Sequence, residues 1–242
     1  MSKQDIQFGT DGWRALIGET FTFPNVRLVV QAVADYLKTH KPKGRANTVA
    51  VGFDTRFQGK EFAAQTAQIL AANGFKVLLA ARPVATPTIS LAIRRRKLAG
   101  GVVITASHNP AEYSGVKFKP YYAGPAHPAM TKWIESRLGK SKIKMLDFDL
   151  ACKSGKIKVT DFSEFYVQFL KKFVDIRALS KARLRVAIDA MHGAGNHTCE
   201  RVLMRTACSV KTLSGNPDPT FSGRRPEPIG QHLKELSQTL RK

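Results

Sequence analysis

Apolar residues recur at helical spacing from Pro24 to His40. Val26, Val29, Val30, Val33, Tyr36 and Leu37 share one face, and Pro24 suits the first turn. The polar stretch Lys41–Asn47 (KPKGRAN) ends that period, and Thr48–Phe53 (TVAVGF) follows as a short apolar run fit for a buried strand. Helical spacing returns over Gly59–Asn73, with Gly74 as its stop, and Phe75–Ala80 (FKVLLA) predicts a second strand. Thr86–Lys97 predicts a helix with Thr86 as cap and Pro87 in its first turn, and Ala99–Thr105 (AGGVVIT) a third buried strand. Strands about 25 residues apart with helices between them imply a parallel sheet with right-handed crossovers.

The period weakens beyond this point. Ala126–Leu138 reads as a helix, and residues 139–160 as a linker or edge excursion. Phe162–Asp175 is amphipathic, with Phe162, Phe165, Tyr166, Phe169 and Phe173 on one face, a stripe that predicts core packing. A second alternation follows: strand Leu184–Asp189, helix Gly195–Thr206, strand Cys208–Leu213, a Pro/Gly-rich loop and helix Ile229–Leu240. Two strands and two helices are few for a doubly wound domain, whose sheets usually have about five strands.

Composition narrows the class. The chain has 242 residues, 43% of them hydrophobic, which excludes wholesale disorder. No apolar run approaches the ~20 residues of a membrane helix. The first residues carry no apolar h-region, so no secretory signal is expected. Three cysteines (Cys152, Cys199, Cys208) form no CxxC pair, which points to a reducing cytoplasm. The net charge of +21 raises nucleic acid as a partner. The only dense run, Arg94-Arg95-Arg96-Lys97, has no interleaved aromatics for base stacking and closes a helix, where the dipole favours cations. It therefore reads as a solvated surface, and nucleic acid is not the expected partner.

Ligands of open parallel sheets collect beyond the carboxyl ends of the strands. Asp54–Arg56, Ala81–Ala85 and Thr105–Pro110 (TASHNP) fall there. The last sets Ser107, His108 and Asn109 on one loop; a hydroxyl, an imidazole and an amide can support covalent transfer, although adjacency alone better describes a plain turn. No GxSxG elbow surrounds Ser107, and six histidines, His192 and His197 among them, show no HExxH. Arg14, after the glycine-flanked FGTDGWR, and Lys117, in SGVKF, add charge near turns that let backbone N–H groups approach an anion. A loop serine among such cations suits a phosphoryl group better than an acyl group.

Taken together, Phe8–Arg14 (FGTDGWR), Gly52–Arg56 (GFDTR), Thr105–Pro110 (TASHNP) with Gly115-Val116-Lys117, Asp189–Gly195 (DAMHGAG) and Asn216–Pro228 (NPDPTFSGRRPEP) resemble the α-D-phosphohexomutase superfamily, which includes phosphoglucomutase and phosphomannomutase. The resemblance implies a three-layer α/β/α fold with a mixed, mostly parallel sheet. It implies one complete domain at residues 1–140, a linker at 141–161, and an incomplete second domain of the same type at 162–242. It further implies reversible transfer of phosphate between positions 1 and 6 of a hexose, through a phosphoserine at Ser107 and a sugar 1,6-bisphosphate. Arg14 and Lys117 would stabilise charge, Lys117 and His108 would move the sugar hydroxyl's proton, and Thr10 would hold its turn. Mg²⁺ would bind a phosphoserine oxygen and three aspartates, with glucose 1,6-bisphosphate as activator.

Two departures qualify the match. Ser114 stands where many members have Asn, and Ser can still bond within its own turn. The aspartate-rich metal loop, DGDADR in the family, is expected just beyond Leu240, and Asp147–Asp149 (DFD) reads only as a solvated linker feature. The expectation is a mutase half that is inactive alone, with a separate chain carrying the other half as one partner it could need. A non-catalytic phosphosugar-binding or scaffold protein is the alternative.

Overall fold

A computed structural model describes residues 6–9 and 11–241, which divide into two units. The first holds 6–54, 58–107 and 112–161; the second holds 55–57, 108–111 and 162–241.

In the first unit β1 (Trp13–Leu16) precedes α1 (Phe23–Thr39), β2 (Ala46–Phe53), α2 (Gly59–Ala72), β3 (Lys76–Ala80), α3 (Thr86–Arg95) and β4 (Leu98–Ile104). There follow β5 (Tyr113–Pro120), α4 (Pro128–Arg137), α5 (Phe148–Lys153) and β6 (Ile157–Thr160). The six strands lie in the order β1-β5-β4-β2-β3-β6. β4, β2, β3 and β6 run parallel, while β5 is antiparallel to both β4 and β1. The mixed, mostly parallel sheet is the one expected.

Local chemistry sets the helix ends. Thr22 caps α1 by accepting from the Asn25 amide at 3.4 Å, with Pro24 in the first turn. At α3 the cap is Ala85 rather than Thr86, which has moved inside the helix ahead of Pro87 and makes no capping bond. Gly74, at φ +93°, stops α2 as expected. A ring cluster fastens β1 to the helical layer, with Trp13 and Phe21 centroids 5.0 Å apart and Phe21 and Phe62 4.7 Å apart. On the other face α3 packs against β2 and β4, directly over two glycines. A Cβ at Gly52 would lie 2.6 Å from Ile89 Cγ1, and one at Gly101 2.8 Å from Ile93 Cδ1.

Hydropathy alone does not reveal β1, β5 or β6. Lys117 and Lys119 interrupt the apolar run of β5, yet both are buried there. The expected linker, 141–161, includes α5 and β6 and belongs to the first unit. Gln31 accepts from the Lys144 amide, and Gln68 donates to the Leu146 carbonyl at 2.9 Å. β6 then pairs with β3 as a sheet edge. Asp147 is a helix cap, accepting from the Leu150 amide at 2.9 Å, rather than an idle solvated carboxylate.

The second unit contains α6 (Ser163–Phe173), α7 (Ile176–Ala182), β7 (Arg185–Asp189), α8 (Thr198–Leu203), β8 (Ser209–Leu213) and α9 (Lys234–Leu240). β7 and β8 form a two-stranded parallel sheet. The aromatic stripe of α6 is core only in part: Phe162 and Val167 are buried, but Phe173 is 76% exposed. A 3-10 turn at Gly230–His232 shortens the last helix from the expected span. Among the described residues no helix is long and apolar enough to cross a membrane.

The close seat of α3 gives the first prediction. Gly101→Ala should destabilise the chain by about 1–3 kcal/mol through overpacking, read as a lower urea midpoint at unchanged m. Ile93→Val in the same chain should recover part of the loss, because it removes the Cδ1 that lies 2.8 Å from the added methyl.

Candidate functional site

The row Arg14–Gly115–Thr105 crosses β1, β5 and the end of β4. Arg14 lies opposite Gly115, and the Thr105 amide donates to the Gly115 carbonyl at 2.9 Å. The strands approach so closely that a Cβ at Gly115 would sit 2.5 Å from the Trp13 carbonyl oxygen and 2.7 Å from that of Thr105. Both neighbours are backbone, so neither can swing aside. Immediately past this row the chain turns at Ser107, which is exposed and left-handed at φ +61°. Its amide donates to Thr105 Oγ1 at 2.9 Å. A serine in that region is strained by about 1–3 kcal/mol, a cost that proteins keep mainly where a side chain must point a particular way.

Beside the row, one carboxylate neutralises two buried cations. Lys117 Nζ lies 2.7 Å from Asp11 Oδ2 and Lys119 Nζ 3.0 Å from Asp11 Oδ1. Lys117 and Lys119 are two apart on a strand and so project to the same face. The turn that aims Asp11 is closed by a Gly9 amide to Gly12 carbonyl bond of 2.9 Å, and Gly12 sits at φ +104°. A Cβ at Gly12 would meet the Val116 carbonyl oxygen at 2.5 Å. Burial alone would raise the Asp11 pKa, but hydrogen bonds and charge from Lys117 and then Lys119 outweigh it and hold the carboxyl below its usual range. Ser114 is buried in β5 with no partner for its hydroxyl, not bonded within a turn as expected, because its residue is part of the strand.

The second unit takes up the sequel to the serine. Arg56, 3% exposed, donates from Nη1 to the Pro110 carbonyl at 2.6 Å and from Nη2 to the Asn109 carbonyl at 2.7 Å. Its guanidinium lies 5.0 Å from the centre of the Phe221 ring. Through this forked clamp the GFDTR motif fixes the backbone two and three residues beyond Ser107. The loops after β7 and β8 are tied in the same unit. His192 Nδ1 meets the Asn216 carbonyl at 2.8 Å and its Nε2 meets Ser222 Oγ at 3.0 Å. Backbone and side-chain hydrogen bonds from Thr220, then those from Ser222, lower the Asp218 pKa to about 2.

Of the residues singled out from sequence, Arg14, Ser107 and Lys117 converge on one end of β1, β5 and β4, with Lys117 turned onto Asp11. His108 is exposed and is grouped with 109–111 in the second unit. Thr10 lies outside the described residues. Sequence reasoning misses Asp11, Lys119 and the part played by Arg56; the i, i+2 lysines of VKFK, facing a carboxylate in FGTDGWR, are the available signal. A Mg²⁺ ion takes oxygen ligands, chiefly carboxylates. Among the described residues no three His, Cys, Asp or Glu side chains cluster, and Asp11 is held by two lysines, so the residues by Ser107 do not fit such an ion.

Comparison with known proteins agrees with this geometry. Residues 5–144 match the family described as phosphoglucomutase/phosphomannomutase, alpha/beta/alpha domain I, and residues 164–242 match alpha/beta/alpha domain II. A "Probable phosphoglucosamine mutase" of Methanothermobacter thermautotrophicus is 33% identical over 99% of this chain and 50% of its own length. Phosphoglucomutase 1 of Drosophila melanogaster is 34% identical over 96% of this chain and 46% of its own. A crystal structure from Thermus thermophilus, described as that of a "putative phosphomannomutase", superposes with a TM-score of 0.86 at 34% identity, covering 98% of this chain and 52% of that one. The chain thus spans about half the length of the curated relatives it matches.

The ion cluster and the clamp are each open to test. Asp11→Asn should cost about 3 kcal/mol, because two buried ammonium groups lose their counter-charge. Since the Asp11 pKa is lowered on folding, its contribution is present above the ordinary value of 3.8 and lost as pH falls through the native pKa. The stability gap between wild type and Asp11→Asn should therefore narrow in acid, measured by urea unfolding at stepped pH. Arg56→Met should leave two half-buried carbonyls without this donor and speed amide exchange at 108, 109 and 111, while 48–53 stays protected.

Proposed function

The chain belongs to the phosphoglucomutase/phosphomannomutase family of the α-D-phosphohexomutase superfamily, and on that footing we propose that its Ser107 carries a phosphoryl group to and from a hexose phosphate. The observation that carries this reading is the exposed, left-handed Ser107 at the carboxyl end of β4, next to a row that ends in Arg14. The transfer moves phosphate between positions 1 and 6 of the sugar. A sugar hydroxyl oxygen bonds to phosphorus as the bond to Ser107 Oγ breaks, giving a 1,6-bisphosphate. The serine then regains a phosphoryl group from the other position. His108, exposed and adjacent in the chain, is suited to accept the hydroxyl proton. Lys117, engaged with Asp11, supplies positive charge toward the phosphoryl oxygens together with Arg14.

The family also brings an expectation of Mg²⁺. Such an ion would offset phosphoryl charge, but the residues described here do not gather its ligands, and the roles above are assigned to this chain's own groups.

Incubation with glucose 1,6-bisphosphate and Mg²⁺, followed by peptide mass spectrometry, tests the assignment. One phosphate on Ser107, absent in Ser107→Ala, is expected; phosphate on another residue, or none, would favour a non-catalytic phosphosugar binder. Because the chain spans half the length of its relatives, we expect these 242 residues alone to give no net conversion of glucose 1-phosphate. Turnover abolished by Ser107→Ala would contradict that expectation.

A further inference from the structure

The amino ends of the parallel strands in the first unit form a basic edge. Lys41, Lys43 and Arg45 lead into β2, Lys76 opens β3, and the Arg94–Lys97 run leads into β4. Pairing gathers these segments. The Ala46 amide donates to the Lys97 carbonyl at 2.9 Å, Ala46 lies opposite Leu98, and Thr48 lies opposite Lys76. All these cations are exposed except Arg45, which is half-buried. No acidic residue occurs from Tyr36 to Phe53 or from Phe62 to Ala111.

The simplest account is that helix carboxyl ends favour cations. Its size is limited. The helices α1, α2 and α3 end here, and each contributes roughly half a negative charge, so together they offset about 1.5 charges; Arg95 and Arg96 also interact within the chain, and the other six cations still exceed that offset. That surplus of exposed positive charge favours an outside polyanion.

The fold also supplies what the linear sequence lacks. Because β5 runs antiparallel to β4, Pro120 lies opposite Gly100, and Tyr121 and Tyr122 emerge at this same edge. They are 39% and 43% exposed, with ring centroids 5.5 Å apart and planes at 82°. Arg45 Cζ stands 5.4 Å from the Tyr121 ring centre. Two solvent-facing rings beside a track of cations are the elements of a single-strand platform: charge follows the phosphates, and aromatic faces stack on unpaired bases. A duplex hides its base faces from such rings, and anionic lipid, which basic clusters also attract, is one of the competitors in the test.

We propose that this edge docks single-stranded nucleic acid. The surface lies at the opposite ends of the strands from Ser107. The seven residues of β4 separate the two by about 20 Å, so occupancy leaves the serine loop open.

The test is fluorescence anisotropy of the full chain with a labelled oligouridylate of about 15 nucleotides, from 50 to 200 mM KCl. Polyglutamate and phosphatidylserine vesicles serve as competing polyanions. Binding is expected to weaken with salt by about 0.7 log units per log unit of salt for each phosphate contacted. Tyr121→Ala and Tyr122→Ala should each weaken binding about fivefold or more at an unchanged salt slope. Lys41→Gln with Lys43→Gln should flatten the slope, whereas Lys172→Gln, on α6, should change nothing. Absence of binding at 100 mM salt, equal competition by polyglutamate or vesicles, indifference to both tyrosines, or equal loss from Lys172→Gln would each overturn the proposal. The substituted lysines are exposed and should leave the urea midpoint unaltered; because the Tyr122 hydroxyl donates to the Pro125 carbonyl at 2.8 Å, Tyr122→Phe serves as the control that loses this bond, keeps the ring and should keep binding.

Discussion

Two ammonium groups inside a β-sheet are tolerable only if a counter-charge meets both, and Asp11 is that counter-charge. Its two carboxylate oxygens divide between Lys117 and Lys119 at 2.7 and 3.0 Å. Without it, β5 would carry uncompensated charge into the space between β1 and β4, where the desolvation penalty per ion is several kcal/mol. With it, β5 can be interior to the sheet, and the strand that holds Lys117 also fixes the row on which Thr105 and Arg14 are arranged. The carboxylate therefore serves structure and site together: one ion triad fixes the position of the antiparallel inner strand of this sheet and places a cation near the serine turn.

The geometry around that triad leaves little latitude. Gly12 and Gly115 permit backbone approaches that any side chain would block by direct contact with carbonyl oxygens. Ser107 by contrast holds a conformation that glycine would adopt more easily. The difference separates two roles. Where only space matters, the chain has glycine; where a hydroxyl is wanted, it keeps the side chain and accepts the strain.

Much of this is legible in the residues. The parallel strands β2, β3 and β4 and the helices between them follow from apolar periodicity, since both faces of such strands are buried and their runs are nearly continuous. The serine loop, Arg14 and Lys117 stand out through motif and strand-end position. What escapes has a common cause. β1 and β5 are short or interrupted by lysines whose burial depends on a carboxylate over a hundred positions away, and β6 is an edge strand with exposed alternate residues. Arg56 reads as one more surface cation until the fold shows it buried and forked onto two carbonyls. The tyrosines at the basic edge are likewise 76 and 77 residues from Arg45 in the chain, so no local window could associate them.

The strand order carries a consequence for assembly in time. β1 pairs with β5 alone, and the ion pair that secures the match joins residues 106 positions apart. During synthesis β1 emerges first yet has no sheet to join until β5 has left the ribosome. The β2–β4 framework can close beforehand from more local pairings, whereas the amino-terminal segment must wait as an unpaired strand for its place at the rim. On these pairings docking of that segment is expected late, and it completes the row beside Ser107.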